Sequence, residues 1–218
     1  MKKKKNLWVP AIILIVVSIL YTVLVKFVDV GEIGPEGSSV GFQMINGYVH
    51  SMIGVQEFWY KVTKYLGILP FLYVGYYGVI GLMQLLKGKS LKKVDQRILA
   101  LGGFYIVVGL VYVFFEKVVI NYRPVILEEG LEASYPSSHT MLALCICLSS
   151  LLISKYYIKK QYKRVVDGIT VSLMTVLVVG RILSGVHWIT DIIGGVLISL
   201  ALVYTYKAVI KEDKFDSL

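Results

Sequence analysis

Three long stretches without a single charged residue, Leu7 to Val25, Tyr65 to Leu86 and Ile98 to Phe115, decide what this chain can become. Each approaches or exceeds the roughly 18 to 20 apolar residues that carry a helix across a bilayer. With 56% hydrophobic residues over 218 positions and a mean hydropathy of +0.71, the chain is far more apolar than a soluble domain. Three later runs, Thr140 to Ser154, Gly168 to Gly180 and Ile192 to Tyr206, are too short alone. They reach spanning length only if the helix takes in His139, Asp167, Arg181 or Asp191, so polar residues belong at helix ends. The expectation is an all-α polytopic membrane protein with six transmembrane helices, near 7 to 28, 65 to 87, 97 to 117, 138 to 157, 164 to 184 and 188 to 208.

Short loops rich in Lys and Arg stay in the cytoplasm, which orients the spans. Most of the 23 basic residues lie on alternate boundaries: Lys2 to Lys5, then Lys87, Lys89, Lys92, Lys93 and Arg97, then Lys155, Lys159, Lys160, Lys163 and Arg164, then Lys207, Lys211 and Lys214. Both termini are therefore expected in the cytoplasm. Among the remaining basic residues, Lys117, Arg123 and Arg181 fall on the outer side. The net charge of +9 is spread over loop boundaries rather than displayed by a soluble domain, so anionic inner-leaflet lipid explains it better than nucleic acid. The basic, apolar N-terminus lacks a small-x-small cleavage site before Lys26 and reads as an uncleaved first helix.

No internal repeat divides the chain, so residues 1–218 read as one domain. The one long connection, residues 29–64, lies on the outer side. It opens with Gly31, Gly34, Pro35 and Gly37 and continues with apolar residues that suggest one or two short amphipathic helices at the interface, packing or acting as a lid. His50 within it reads as an interfacial histidine. Cys145 and Cys147 project about 200° apart on a helix and should stay unpaired.

Three polar clusters interrupt the apolar sequence: Lys117 to Arg123-Pro124, Pro136-Ser137-Ser138-His139, and Arg181 with His187 and Asp191. His187 and Asp191 are one helical turn apart, so the carboxylate can hold one ring N–H and leave the other nitrogen with a free lone pair. Ser184-Gly185 breaks the helix and lets Arg181 fold back as an anion clamp. A structural ion pair between Asp191 and Arg181 would use the same residues. Ionisable groups on spans cost about 2.5 to 3.5 kcal/mol at mid-bilayer on insertion scales, so they are usually functional. The second cluster reads as a helix start whose free N–H groups seat a phosphate, with His139 as a proton donor beside an ordinary Ser cap as the plainer reading. Pro124 takes Arg123 out of helical geometry, and its guanidinium can grip phosphate in bidentate fashion. Lys117 by itself reads as a snorkelling interfacial lysine.

In this order the clusters resemble the type-2 phosphatidic acid phosphatase superfamily, membrane lipid-phosphate phosphatases related to vanadium haloperoxidases. That family carries Lys-x6-Arg-Pro, Pro-Ser-Gly-His and Ser-Arg-x5-His-x3-Asp. Here the third motif is present from Gly180-Arg181 through His187 to Asp191, and the second has Ser138 in place of Gly. In the first, Arg123-Pro124 match, but Glu116 occupies the lysine position and Lys117 comes one residue late.

The resemblance implies that His187 attacks phosphorus, Asp191 orients it and His139 protonates the leaving oxygen. Lys117, Arg123, Arg181 and the amides around Ser137 and Ser138 would bind phosphate. It implies no cofactor or metal, and a membrane lipid-phosphate substrate in the bilayer. Undecaprenyl diphosphate, phosphatidylglycerol phosphate and phosphatidic acid all fit, and the compact size and outward site lean toward recycling of a bacterial polyprenyl carrier. The site is expected at the outer ends of the helices in the cell membrane. A non-enzymatic lipid-phosphate binder or transporter is the alternative, although a carrier has no use for paired histidines with a carboxylate. The oligomeric state is not legible.

Overall fold

The computed structural model describes residues 6–127 and 130–211; Lys2 to Lys5 and Lys214, used above for orientation, lie outside them, as does the side chain of Lys211. The described chain is helical, with three isolated β-bridges and no strand. Eight α-helices follow in order: α1 (Trp8–Phe27), α2 (Gln43–Ile53), α3 (Glu57–Leu66), α4 (Phe71–Gly88), α5 (Gln96–Lys117), α6 (Ser138–Tyr157), α7 (Lys160–Ser184) and α8 (Ile189–Lys211). Six helical segments among them are long and apolar enough to cross a membrane, with Glu57–Gly88 counted as one. The chain is a multi-pass membrane protein of the expected class.

One boundary moves. The second helix was expected to start at 65, after an outer connection ending at 64. Instead α3 begins at Glu57, packs against α7 and passes through a tight turn at residues 67–70 into α4. Its polar face conceals it from a hydropathy reading: Glu57 and Lys61 pair at 2.6 Å one turn apart, and Thr63 is fully buried. The other short helix of the connection is α2, which packs on α8.

α6 and α8 form the centre of the bundle. More than half of the α6 span and half of the α8 span are buried, against a quarter or less of the others. α1 packs along α8, while α6 contacts both α7 and α8. Outer helices show apolar side chains to lipid, among them Ile12, Ile13, Ile19 and Leu20 of α1. Lipid is as apolar as leucine, so burial alone gives these helices little reason to associate, and close packing with interhelical hydrogen bonds must do so. Tyr73 to Thr170, Tyr77 to Ser150 and Tyr105 to Ser149 are such bonds. Gly194 serves the packing: a Cβ there would lie 2.4 Å from the Tyr135 ring, so only glycine lets the start of α6 close on α8. Cys145 and Cys147 are buried and unpaired, as expected.

The chain's three polar clusters converge at one end of the bundle, where α5 ends, α6 starts, α7 ends and α8 starts. The α4–α5 and α6–α7 connections, which together with the helix ends flanking them carry most of the described basic residues, lie at the other end. There Tyr157 donates to Asp95 at 2.7 Å and Lys163 pairs with Asp167. The chain between 29 and 57 is bound into the first end. Asn46, fully buried, donates to the Gly41 carbonyl at 2.7 Å and the Thr190 hydroxyl at 2.9 Å, and accepts from the Thr190 amide at 3.3 Å. It thus caps the first turn of α8 from another helix.

The turn between α7 and α8 depends on Gly185, which ends α7 at φ +66°; a Cβ there would sit 1.8 Å from the Gly54 carbonyl oxygen. His50 Nε2 donates to the Gly185 carbonyl oxygen at 3.1 Å and so braces the same turn. Gly185→Ala combines a left-handed backbone with a collision against main chain, so it should cost at least about 2 kcal/mol. A denaturation midpoint in detergent equal to wild type would contradict this placement.

Candidate active site

His187 sits in the turn between α7 and α8 and is 5% exposed. Its Nε2 lies 2.9 Å from Arg123 Nη1, and its Nδ1 lies 3.0 Å from Ser134 Oγ and 3.2 Å from the Ser134 carbonyl oxygen. A guanidinium can only donate, so Nε2 must accept and carries the lone pair. The ring proton therefore resides on Nδ1, facing Ser134. This is the tautomer a nucleophilic Nε2 needs.

The expected direct grip of Asp191 on His187 is replaced by a relay. The two side chains approach no closer than 3.9 Å, outside hydrogen-bond reach. Instead Ser134 Oγ donates to Asp191 Oδ2 at 2.5 Å and stands 3.0 Å from the His187 ring. The reason is helix geometry. α8 starts at Ile189, so Asp191 is the third residue of its first turn, and its carboxylate reaches back to the Trp188 amide at 2.9 Å. That is the N-terminal capping position for an acidic side chain, and it points the carboxylate at its own helix start rather than at His187. Asn121 Nδ2 at 3.3 Å completes the set, so this fully buried carboxylate accepts three hydrogen bonds. Burying it without donors would cost several kcal/mol.

Arg123 lies in an extended segment beyond α5, where its amide donates to the Glu132 carbonyl. Its Nε donates to Glu132 Oε2 at 2.8 Å, and with Nη1 on His187 the guanidinium bridges a carboxylate and the imidazole. Because α5 ends at Lys117, the helical offset between Lys117 and Arg123 does not apply. Lys117 is exposed and makes no ion pair or hydrogen bond among the described residues. Glu116, in contrast, borders a small cavity shared with Ser134, Ser138 and His187.

Arg181 is 1% exposed on the last turn of α7. Its Nη1 donates to Thr63 Oγ1 at 3.2 Å, and the guanidinium lies 5.5 Å from the Tyr60 ring centre. No described carboxylate is within ion-pair distance, and its buried Nε has no partner. A buried guanidinium with an unfilled donor and no counter-ion among the described residues can seat an anion.

At the start of α6 one expectation fails. The Ser137 amide was assigned to phosphate, but it donates to the Asp191 carbonyl oxygen at 3.0 Å, pinning α6 to α8. What Ser137 keeps is a buried hydroxyl with no partner. Ser138 opens the helix and borders the cavity at His187. His139, on the first turn, makes no hydrogen bond among the described residues, and its ring packs against Gly67, where a Cβ would be 3.2 Å from Cδ2. The charges of Arg181, Arg123 and Lys64 all act on it.

Thus Ser134 joins His187 to Asp191, Arg123 bonds His187 directly, Arg181 and His139 face the same region, and Lys117 stands apart. Sequence reasoning missed Ser134, Asn121, Glu132 and Thr63. Only Ser134, two residues before Pro136, lies close enough to a motif to have been suspected.

The PAP2 superfamily family model matches residues 97–214, which hold the whole cluster except its α3 wall. Phosphatidylglycerophosphatase B of Bacillus subtilis (strain 168) is 28% identical over 94 residues, 42% of this chain and 45% of that protein, so the match spans less than half of the relative's length. The crystal structure of a transmembrane PAP2 type phosphatidylglycerolphosphate phosphatase from Bacillus subtilis superimposes with a TM-score of 0.56 at 18% identity, covering 90% of this chain and 94% of that one. The two share a fold.

Burial first, then the charges of Arg123, Arg181 and His139, push the His187 imidazole well below its ordinary range. A histidine held neutral gives no differential stability above the unfolded value of about 6.5; below it the unfolded chain takes up a proton that the folded chain refuses, so stability falls on acidification. Nitrogen NMR of labelled protein in detergent should show His187 neutral with its proton on Nδ1 through pH 6. Titration near 6.5 would contradict the site as described.

Proposed function

The chain belongs to the PAP2 superfamily, and from that premise we propose that it is a lipid-phosphate phosphatase working through a phosphohistidine on His187, without a metal. The observation that carries this reading is the Nε2 lone pair of the buried His187, turned toward Arg123, with Ser134 on the other ring nitrogen and Asp191 behind Ser134.

Substrate phosphate takes the place at Arg181 Nε and draws Arg123 Nη1 from the imidazole onto a phosphate oxygen, freeing the Nε2 lone pair. Nε2 attacks phosphorus as the bond to the leaving oxygen breaks, and His139 gives that oxygen a proton. Ser134, with Asp191 behind it, stabilises the positive charge that develops on the ring. His139, now a base, takes a proton from water as the water oxygen attacks phosphorus and the P–N bond breaks. Phosphate leaves and both histidines are restored. Two guanidiniums, the Ser137 hydroxyl and the free amides of the α6 start neutralise the equatorial oxygens. Lys117 would join them only by swinging inward from its exposed position at the end of α5.

The basic connections at the end of the bundle opposite the site favour a cytoplasmic location for that end, so the site faces outward at headgroup level in the cell membrane. Phosphatidylglycerol phosphate, undecaprenyl diphosphate and phosphatidic acid are the candidate substrates; a relative named phosphatidylglycerophosphatase B favours the first.

Phosphate release from these lipids by the detergent-solubilised chain should persist in EDTA. His187→Ala should lower kcat at least about a thousandfold and His139→Ala about 10²- to 10⁴-fold. Ser134→Ala removes hydrogen bonds worth about 1.5 to 3 kcal/mol and should cost about 10- to 100-fold. Full activity of His187→Ala, or loss of wild-type activity in EDTA, would defeat the proposal.

A further inference from the structure

The last turns of α3 form a wall of the site that none of the three motifs contains. Tyr60, Thr63, Lys64 and Gly67 recur at helical spacing, so they share one face. Three of the four touch the phosphate-binding machinery. The Tyr60 ring lies under the Arg181 guanidinium, Thr63 Oγ1 accepts from Arg181, and Gly67 lies against His139.

Lys64 is the fourth. Its Nζ lies 5.7 Å from the centre of the Tyr60 ring that also carries Arg181, and its charge acts on His139. Lys61, three residues earlier, is neutralised by Glu57 at 2.6 Å, whereas no described carboxylate pairs with Lys64. It is exposed, on a flexible four-carbon stem at the rim, while Arg181 is sealed beneath it. The chain also has a carboxylate, Glu116, bordering the His187 cavity, while the neighbouring Lys117 is exposed and does not line it. The site thus has two buried cations for the phosphate under attack and one mobile, uncompensated cation outside it.

We propose that Lys64 is a specificity-determining ligand for a second phosphate on the lipid headgroup, next to the phosphate that His187 attacks. The assignment rests on the phosphatase reading. It makes a lipid diphosphate, or a lipid whose phosphomonoester is followed by a phosphodiester, a better substrate than a lipid with one phosphate. Thr63 and Tyr60 are positioning residues, because they hold Arg181 and steer the Lys64 stem.

The test measures KM and kcat of the full chain in mixed micelles with undecaprenyl diphosphate, phosphatidylglycerol phosphate and phosphatidic acid, for wild type, Lys64→Ala and Lys64→Arg. One charge-assisted hydrogen bond at a partly exposed rim predicts that Lys64→Ala raises KM about tenfold for a two-phosphate lipid. The phosphatidic acid KM should change by less than about twofold, and Lys64→Arg, which keeps the charge, should recover most of the loss. A rise with undecaprenyl diphosphate alone assigns an anhydride-linked second phosphate, and a rise with phosphatidylglycerol phosphate alone assigns a diester. Equal loss on all three lipids, or no change on any, overturns the proposal. Calorimetric binding of inorganic pyrophosphate and of phosphate separates this idea from the catalytic one. A wild type that hydrolyses none of the lipids defeats the phosphatase reading. Pyrophosphate affinity weakened by Lys64→Ala, with phosphate affinity unchanged, still supports the second anion site, and unchanged pyrophosphate affinity overturns it.

Discussion

The buried carboxylate of Asp191 is the constraint on which the end of this bundle depends. It accepts from Ser134, Trp188 and Asn121, and its own carbonyl oxygen accepts from the Ser137 amide. Those bonds join the first turn of α8 to the segment before α6, to the start of α6 and to the chain beyond α5. A single residue thereby fixes where four pieces of chain meet. Without its donors the buried charge would be unsustainable, so assembly of the site and satisfaction of the carboxylate are one event. The tautomer of His187 follows from the same arrangement, since Ser134, having given its proton to Asp191, presents an oxygen lone pair to Nδ1; burial and the neighbouring guanidiniums keep the ring neutral.

The positive side of the site follows a different logic. Arg123 has a counter-ion in Glu132 and a partner in His187, so in the resting site its charge is already answered. Among the described residues, Arg181 is bonded only by a threonine hydroxyl and packed on an aromatic face. An anion would therefore gain more from Arg181, and in the proposed reaction its competition for Arg123 would release the imidazole lone pair. The connection between α1 and α4 takes part in this through Thr63 and Tyr60, and through Asn46 and His50 it braces the turn that carries His187. It is a wall of the site, a stronger role than the surface packing that its sequence suggests.

Hydropathy and loop charge were enough to read the six spans, because both are one-dimensional properties. The start of α6 at Ser138 was legible from Pro136-Ser137, and the end of α7 from Ser184-Gly185, because a helix terminus has local chemistry. The convergence of Arg123, His139, Arg181 and His187 was legible from their placement at helix ends. The relay was not. Ser134 and Asp191 are 57 residues apart, Asn121 and Asp191 70, and Thr63 and Arg181 118, and no periodicity links them. The sequence reading put His187 and Asp191 in direct contact because it treated them as two points on one helix. His187 in fact precedes the helix, and Asp191 is occupied with capping it. α3 was legible as a short amphipathic helix but not as the start of the second span: its charged residues Glu57, Lys61 and Lys64 are exposed, and the one buried polar contact, from Thr63 to Arg181, joins positions far apart in sequence.

The central claim is that Nε2 of His187 forms a bond to phosphorus. Rapid quenching of the full chain during turnover of a lipid labelled with ³²P in its scissile phosphate, followed by alkaline peptide mapping, tests it directly. Base-stable, acid-labile label on the peptide containing His187, enriched in His139→Ala if loss of the second histidine slows hydrolysis more than attack, is the predicted result. Turnover with no protein-bound label at any time, or label on His139 with His187 unmodified, would contradict it.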